Sequence, residues 1–457
     1  MPKAFSEEML KNNPREVVLN ALIDVFEKDS LSHIALRNAL KGDFSKSERS
    51  FITRLLEGTI EQAIYLDFVI DVFSKTKSEK MKPFIRNALR QAVFELEFMD
   101  SIPERATCNE TVNLVKASKF SPLSGFVNGV LRSIAGDLAE GKTKISEAYN
   151  KLSEDEKLEI DYRLPIWIIK KWSKDYGKEK ALRLAKASIS SNDKISVRMN
   201  LSKADKESIK KMLTDQGLEI EDMPYVSGLY LWGFDRLDEL KAFKEGYIQP
   251  QDLSSMLVGI IAAPKKGDFC MDLCAAPGGK SLHLADLGAK VLSFDQSQNK
   301  VDLINENIKR SGLDNIEARV GDATCFNESL KESADLVLVD APCSGLGVLA
   351  KKTDIKYKTK QIDIKTLSEL QKSILKNAYE YLKVGGVLIY STCTVNKNEN
   401  DKNVEWLLKE FDLEADDLNL YLPKELVTET AKDGYIQLFQ GEFPGDGFFI
   451  SRMIKKG

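Results

Sequence analysis

Apolar residues in the first third of the chain recur at helical spacing. Val17, Val18, Ala21, Leu22, Val25 and Phe26 form one stripe, Phe51, Ile52, Leu55, Leu56 and Thr59 a second, and Ile85, Leu89, Ala92, Val93 and Leu96 a third. Intervals of three and four place each set on one side of a helix. Pro83 and Pro103 stand where helices begin. The pattern predicts an all-helical domain over residues 1–140. The next stretch, AGDLAEGKTKISEAYNKLSEDEKLEID, is polar and glycine-bearing, so residues 141–161 are expected to be a linker with room for a helix.

The period then changes. Pro165, Trp167, Trp172 and Tyr176 mark a helix, ISVRMNL from Ile195 alternates like a strand, and KADKESIKKMLTDQG reads as a helix ending at Gly217. Residues 162–244 are expected to be a small α+β subdomain, its tryptophans serving the core rather than stacking on bases. From residue 245 short apolar runs take over: Phe269–Leu273, Lys290–Phe294, Ile316–Val320, Leu336–Val339 and Val387–Tyr390. They alternate with helical patterns at Asn299–Arg310 and Leu367–Leu382, the last stopped at Gly385 and Gly386. Strands without a polar side belong in a sheet covered on both faces. Residues 245–457 are therefore predicted to be a doubly wound α/β domain, closed by a hairpin within GYIQLFQGEFPGDGFFISRMIKK.

Composition narrows the function. Of 457 residues 43% are hydrophobic and 30% charged, and no apolar run reaches the roughly 20 residues that span a bilayer. The opening MPKAFSEEMLKNN lacks the charged-then-apolar order of an export signal, so a cytoplasmic protein without a membrane partner is expected. The six cysteines, at 108, 270, 274, 325, 343 and 393, are too dispersed for a disulfide scaffold and should be free thiols. With His33 and His283 the only histidines, neither a Cys/His metal site nor His-based hydrolysis is expected.

A net charge of −4 does not advertise a polyanionic partner. Locally, AKKTDIKYKTKQIDIK concentrates Lys351, Lys352, Lys356, Lys358, Lys360 and Lys365 around Tyr357, against Asp354 and Asp363. This reads equally as a basic loop that holds RNA and as a solvated lysine face.

Three stretches end apolar runs and should emerge at one edge of the sheet: FCMDLCAAPGGKS at Phe269–Ser281, DAPCSGLG at Asp340–Gly347 and YSTCT at Tyr390–Thr394. The small residues of the first make a turn tight enough to lay a ligand on backbone N–H groups at a helix start. Three ligands compete for it. A dinucleotide needs G-x-G-x-x-G, whereas only Gly278 and Gly279 are present. ATP finds GKS and an apolar strand ending at Asp340, but Cys274 replaces the first glycine of a phosphate loop and Pro277 removes a donor. S-adenosylmethionine is served best: Lys280 for its amino-acid end, Asp295 after the second strand for the ribose, and Asp322 after the third for the adenine.

The motifs DLCAAPGGKS, Asp295, GDA at Gly321, DAPCSGLG and YSTCTVNKNEN resemble the successive motifs of the RNA (cytosine-5) methyltransferases of the Sun/NOL family. The front resembles the NusB fold, an RNA-binding helical bundle, through PREVVLNALIDVF, SERSFITRLLEGTI and NETVNLVKASKFSPLSGFVNGVLRSI. The resemblance implies a Rossmann-like class I methyltransferase domain behind a NusB-like RNA-binding domain, acting as a monomer without metal. It implies methyl transfer from S-adenosylmethionine to a cytosine of small-subunit ribosomal RNA. Cofactor contacts would fall to Cys274, Ala275, Ala276, Pro277, Gly278, Gly279, Lys280, Asp295, Asp322 and Asp340. Cys393 would be the nucleophile, Cys343 would assist product release, Asp340 would also act in catalysis by hydrogen-bonding the cytosine ring, and Lys351, Lys352, Lys356 and Lys358 would meet RNA. Where the family carries an arginine-rich segment and His-Pro before DIKW, this chain has Lys351, Lys352 and Thr353 before Asp354.

Two thiols suit this chemistry. Carbon 5 of cytosine is a poor nucleophile until a thiolate adds to carbon 6, and the thiolate must later be expelled. Residue chemistry alone leaves the roles open, because Pro342 before Cys343 also matches the Pro-Cys of DNA cytosine methyltransferases. The family's second motif assigns the nucleophile to Cys393.

Overall fold

The computed structural model describes residues 13–189 and 194–457. Its front is helical. Helices span Pro14–Glu27, Ser32–Ala39, Lys46–Phe73, Pro83–Phe98, Glu104–Ala117 and Ser124–Ala139. Proline opens the first and fourth, and the third starts with a Ser45–Glu48 capping box, which satisfies backbone donors that a helix start leaves unpaired. The predicted stripes meet in one core, where Val18, Leu22, Ile52, Leu55, Leu56, Ile85, Leu89 and Val93 are buried together.

The stretch expected to be a linker with room for a helix carries two, Thr143–Asn150 and Glu154–Tyr162, the second opened by a Ser153–Glu156 capping box. The polar stretch folds because Ile145 and Ile160 join the helical core. Two helices follow, Ile166–Tyr176 and Lys178–Ala187. Trp172 is 1% exposed, a core residue as expected.

Two sheets follow. The smaller contains β1 (Ile195–Met199), β2 (Glu219–Asp222), β3 (Gly228–Trp232) and β4 (Ile248–Pro250) in the antiparallel order β2-β3-β1-β4. The larger contains β5 (Phe269–Asp272), β6 (Lys290–Asp295), β7 (Ile316–Val320), β8 (Ala334–Asp340), β9 (Leu382–Thr392), β10 (Leu413–Ala415), β11 (Tyr435–Leu438) and β12 (Phe448–Lys455). Its order is β10-β12-β9-β8-β5-β6-β7, with β11 paired to β12. Strands β5 to β9 are parallel and β12 runs antiparallel to β9, the doubly wound sheet with an antiparallel edge. Gly385 and Gly386 lie inside β9 rather than before it; the strand starts at Leu382.

Alternation along β8 shows both faces covered. Leu336 and Leu338 pack with the helix Leu253–Ala262, while Val337 and Val339 pack with the helix Asp363–Tyr381. The parallel strands therefore deliver Asp272, Asp295, Val320, Asp340 and Thr392 to one edge.

Compactness divides the chain near residue 190, inside the expected 162–244 subdomain. One unit runs up to that point and takes in Leu349–Thr359; the other continues to Val348 and resumes at Lys360. The captured segment is anchored on the helical unit by specific groups. The Asp354 carboxylate accepts from Ser32 N (3.1 Å) and Ser32 Oγ (2.7 Å), and Tyr357 OH donates to the Ile60 carbonyl at 2.9 Å. The Tyr357 ring meets Phe26 edge-on, centroids 5.3 Å apart. Among the described residues no helix is long and apolar enough to cross a membrane.

Candidate active site

The glycine turn fills the gap between β5 and the helix Gly279–Asp286. Gly278 adopts φ +98°, and a Cβ there would stand 3.1 Å from Ile304 Cγ2, so glycine is needed twice over. The turn is held from both sides. Asp295, at the end of β6, accepts from Ala276 N (3.0 Å) and Gln296 N (2.8 Å) and pairs with Lys300 at 2.9 Å. Asn307 Nδ2 donates to the Pro277 carbonyl at 2.8 Å. Asp322 is exposed beyond β7, where it accepts from Thr324 N (2.8 Å) and Thr324 Oγ1 (2.7 Å).

At the foot of the turn Asp272 is 1% exposed, accepting from Ser281 Oγ at 2.5 Å and Cys274 N at 3.3 Å. Burial raises its carboxyl pKa to about 7. An unfolded aspartate loses its proton near pH 4, so between about pH 4 and 7 the folded state holds more protons. The contribution of Asp272 to the stability of the cofactor-free protein is therefore fully present below pH 4 and is lost as pH rises through 7, by up to about 4 kcal/mol. Asp272→Asn is expected to flatten that slope in denaturant unfolding measured across this range; an unchanged slope would assign it to another group. Cys274 beside it is no reactive thiol, since burial and then the Asp272 charge push its pKa upward.

The reactive groups sit on β8 and β9. Cys343 Sγ lies 3.2 Å from Cys393 Sγ, and both residues are half-buried. The Cys343 thiol is pushed well up by its hydrogen bond to Cys393 and by burial. Asp340, ending β8, takes the Lys280 ammonium at 2.6 Å and Ser391 Oγ at 2.8 Å. Burial alone would lower the Lys280 pKa, but the Asp340 charge and hydrogen bond raise it, with further support from Cys393. Lys280 thus pairs with Asp340 and is within electrostatic reach of Cys393, a role that the glycine-turn reading did not give it. His283 is buried in its helix with its pKa forced well down by burial and Arg198, so it is no base for a thiol.

Below the thiols a polar network joins the two loops. Gly347 N donates to the Cys393 carbonyl (3.0 Å), Gly447 N to the Gly347 carbonyl (2.8 Å), and Ser344 Oγ meets Thr394 Oγ1 at 2.8 Å. Glu399, which periodicity and spacing did not mark, is fully buried among them.

The lysine segment divides. Lys356 is buried, donates to the Glu61 carbonyl at 2.8 Å, and has its pKa lowered by burial to about 7. Lys358 donates to the Asp29 carbonyl at 3.1 Å and pairs with Asp354 at 3.2 Å. These two fasten the segment to the helical unit instead of presenting charge to phosphate, because Tyr357 carries them into its core. Lys351 and Lys352 are exposed.

Three family models match the chain: the NusB family at residues 12–136, the RsmF/B-like ferredoxin-like domain at 164–233, and 16S rRNA methyltransferase RsmB/F at 259–454. A Bacillus subtilis protein named probable ribosomal RNA small subunit methyltransferase B is 35% identical over 98% of this chain and 100% of its own. The crystal structure of PH0851 is 26% identical and covers 99% of this chain and 100% of that one, with a TM-score of 0.81. The structure of NSun6 from Pyrococcus horikoshii with SFG shares the fold at 23% identity, over 64% of this chain and 98% of that one, TM-score 0.57.

Proposed function

The chain belongs to the ribosomal RNA small subunit methyltransferase B family of S-adenosylmethionine-dependent enzymes, and from that premise we propose that it methylates carbon 5 of a cytosine in small-subunit (16S) ribosomal RNA through a covalent Cys393–cytosine intermediate. The observation that carries the reading is the pair of thiols 3.2 Å apart at adjacent strand ends, beside the Lys280–Asp340 ion pair.

The residues of the turn fit the cofactor. A glycine turn at a helix start, with carboxylates ending β6 and following β7, suits ribose hydroxyls and an adenine amine. When bound, S-adenosylmethionine supplies an electrophilic methyl group. Cys274 to Lys280, Asp295, Asp322 and Asp340 are the proposed contacts.

Cys393 as thiolate adds to carbon 6 of the ring, and Lys280 lowers the cost of that charge. Carbon 5, now enamine-like, would supply the electron pair for the new carbon–methyl bond, the methyl–sulfur bond breaking with its pair left on the sulfur of the departing thioether. Loss of the carbon 5 proton then lets the C6–sulfur bond break, and the electron pair returns to Cys393. Cys343, held as a thiol against it, assists that release. Asp340 and Lys280 present an acceptor and a donor to the polar edge of the base, which must be out of a stack and therefore single-stranded or in a loop. Lys351 and Lys352 are candidates for phosphate contacts, the helical unit is a candidate RNA platform, and a cytoplasmic location belongs to the same proposal.

Labelled S-adenosylmethionine and small-subunit ribosomal RNA test the reading; label at cytosine carbon 5 is expected, and label elsewhere, or none, overturns it. A cheaper assay checks the ligand. S-adenosylmethionine at a hundredfold excess over its Kd should stabilise the protein by about 2.7 kcal/mol, read as a rise in Tm. ATP should have no such effect, and the opposite pattern would return the glycine turn to a phosphate ligand.

A further inference from the structure

Glu399 carries a buried carboxylate with no cation among its hydrogen-bond partners in the described residues. Oε1 accepts from Ser344 N at 2.8 Å and Gln371 Nε2 at 3.1 Å; Oε2 accepts from Ser344 Oγ at 2.6 Å and Asn396 Nδ2 at 2.8 Å. Burial raises the pKa of this carboxyl, and the hydrogen bonds from Ser344, Asn396 and Gln371 work against that rise, since every one of these partners is a donor and suits the ionised, acceptor-only form. The chain elsewhere reinforces it. Asn403 Nδ2 holds Gln371 Oε1 at 2.9 Å, Gln371 Nε2 also donates to the Pro342 carbonyl at 2.9 Å, and Tyr390 OH donates to the Glu399 carbonyl.

The position of this charge matters more than its burial. Ser344 follows Cys343 and Thr394 follows Cys393, and the hydroxyls of these two neighbours touch at 2.8 Å. By gripping Ser344 through both backbone and side chain, Glu399 ties the loop after β8 to the loop after β9. A full charge in so stiff and dry a setting also repels a second negative charge nearby. The Cys343 thiol is raised by Cys393 first, then by burial, with a smaller push from Glu399, against a hydrogen bond from the Gly345 backbone that favours the anion, while Tyr390 lies within its electrostatic reach and Lys280 acts on Cys393.

We propose that Glu399 is a positioning residue that clasps the two thiol loops together and reserves Cys343 as a protonated thiol, leaving Cys393 to carry the negative charge. The clasp explains how two equivalent side chains in contact acquire different roles. The proposal rests on the two-thiol reading of the site.

Iodoacetamide labelling across pH, read at each cysteine by peptide mass spectrometry, tests it without RNA. In the wild type Cys393 should react at lower pH than Cys343. In Glu399→Gln the midpoint for Cys343 should fall by about one pH unit, with Tm recorded on the same sample. Ser344→Ala keeps the charge but loosens the clasp: the Cys343 midpoint should hold, while kcat for methyl transfer falls about ten- to a hundredfold at unchanged KM for S-adenosylmethionine. An unmoved Cys343 midpoint in folded Glu399→Gln overturns the proposal. Should that variant not fold, Ser344→Ala decides alone, and wild-type transfer by it overturns the clasp. If Cys343 reacts first in the wild type, the thiol assignment fails instead, and with it the charge-reserving role of Glu399.

Discussion

Cys393→Ala is expected to lower methyl transfer by roughly four orders of magnitude or more, because no neighbouring side chain can replace the attacking sulfur. Cys343 is close enough to be tempting, at 3.2 Å. Its thiol, however, is disfavoured as an anion by its hydrogen bond to Cys393 and by burial, and Lys280 supports charge on Cys393. The reciprocal variant should behave differently. Cys343→Ala leaves the nucleophile in place and removes the group that assists its departure, so methylated RNA should remain attached and accumulate as an adduct on a denaturing gel. Labelled S-adenosylmethionine, small-subunit ribosomal RNA and three proteins suffice. Adduct in Cys393→Ala, with loss of all transfer in Cys343→Ala, would exchange the two roles.

The main elements of this site were legible because each depends on a few consecutive residues. A turn that must pass close to a ligand demands Ala, Pro and Gly in a row, and DLCAAPGGKS announces itself. Apolar runs ending in Asp272, Asp295, Asp340 and Thr392 imply parallel strands, and parallel strands share an edge. Glu399 was not legible in the same way. Two of its three partners, Ser344 and Gln371, lie 55 and 28 positions away, and one glutamate in NKNEN looks like any solvated carboxylate. Lys356 and Lys358 were misread for a related reason: a run of lysines signals its charge, while the ring of Tyr357 that draws two of them against the helical unit is a tertiary fact. The polar stretch over residues 141–161 carried its own helix signal, Ser153 with Glu156 three residues on, beneath a composition that suggested a linker.

Gly347→Ala should damage the site without touching any reacting group. A Cβ at this position would stand 2.0 Å from the Gly447 carbonyl oxygen, 2.6 Å from its carbon and 2.9 Å from the Cys393 carbonyl oxygen. All three atoms are backbone, so no side chain can swing aside, and the segments must separate. That separation stretches the bond from Gly347 N to the Cys393 carbonyl and the bond from Gly447 N to the Gly347 carbonyl. Overpacking of this kind costs about 3 kcal/mol, and displacing a nucleophile by about 1 Å costs about a hundredfold in rate. Denaturant unfolding and kcat on the same preparation should show both losses. Gly129→Ala is the contrast, since it lies in the helix Ser124–Ala139 with no atom within 4 Å of its added Cβ; there the gain in helix propensity should stabilise by up to about 1 kcal/mol. Wild-type transfer by Gly347→Ala would mean that the loops adapt around the methyl group and that thiol spacing is set by the Glu399 clasp alone. Loss of rate with full stability would place the effect in the geometry of the sulfur atoms, where the close approach of Gly347 to Gly447 and Cys393 puts it.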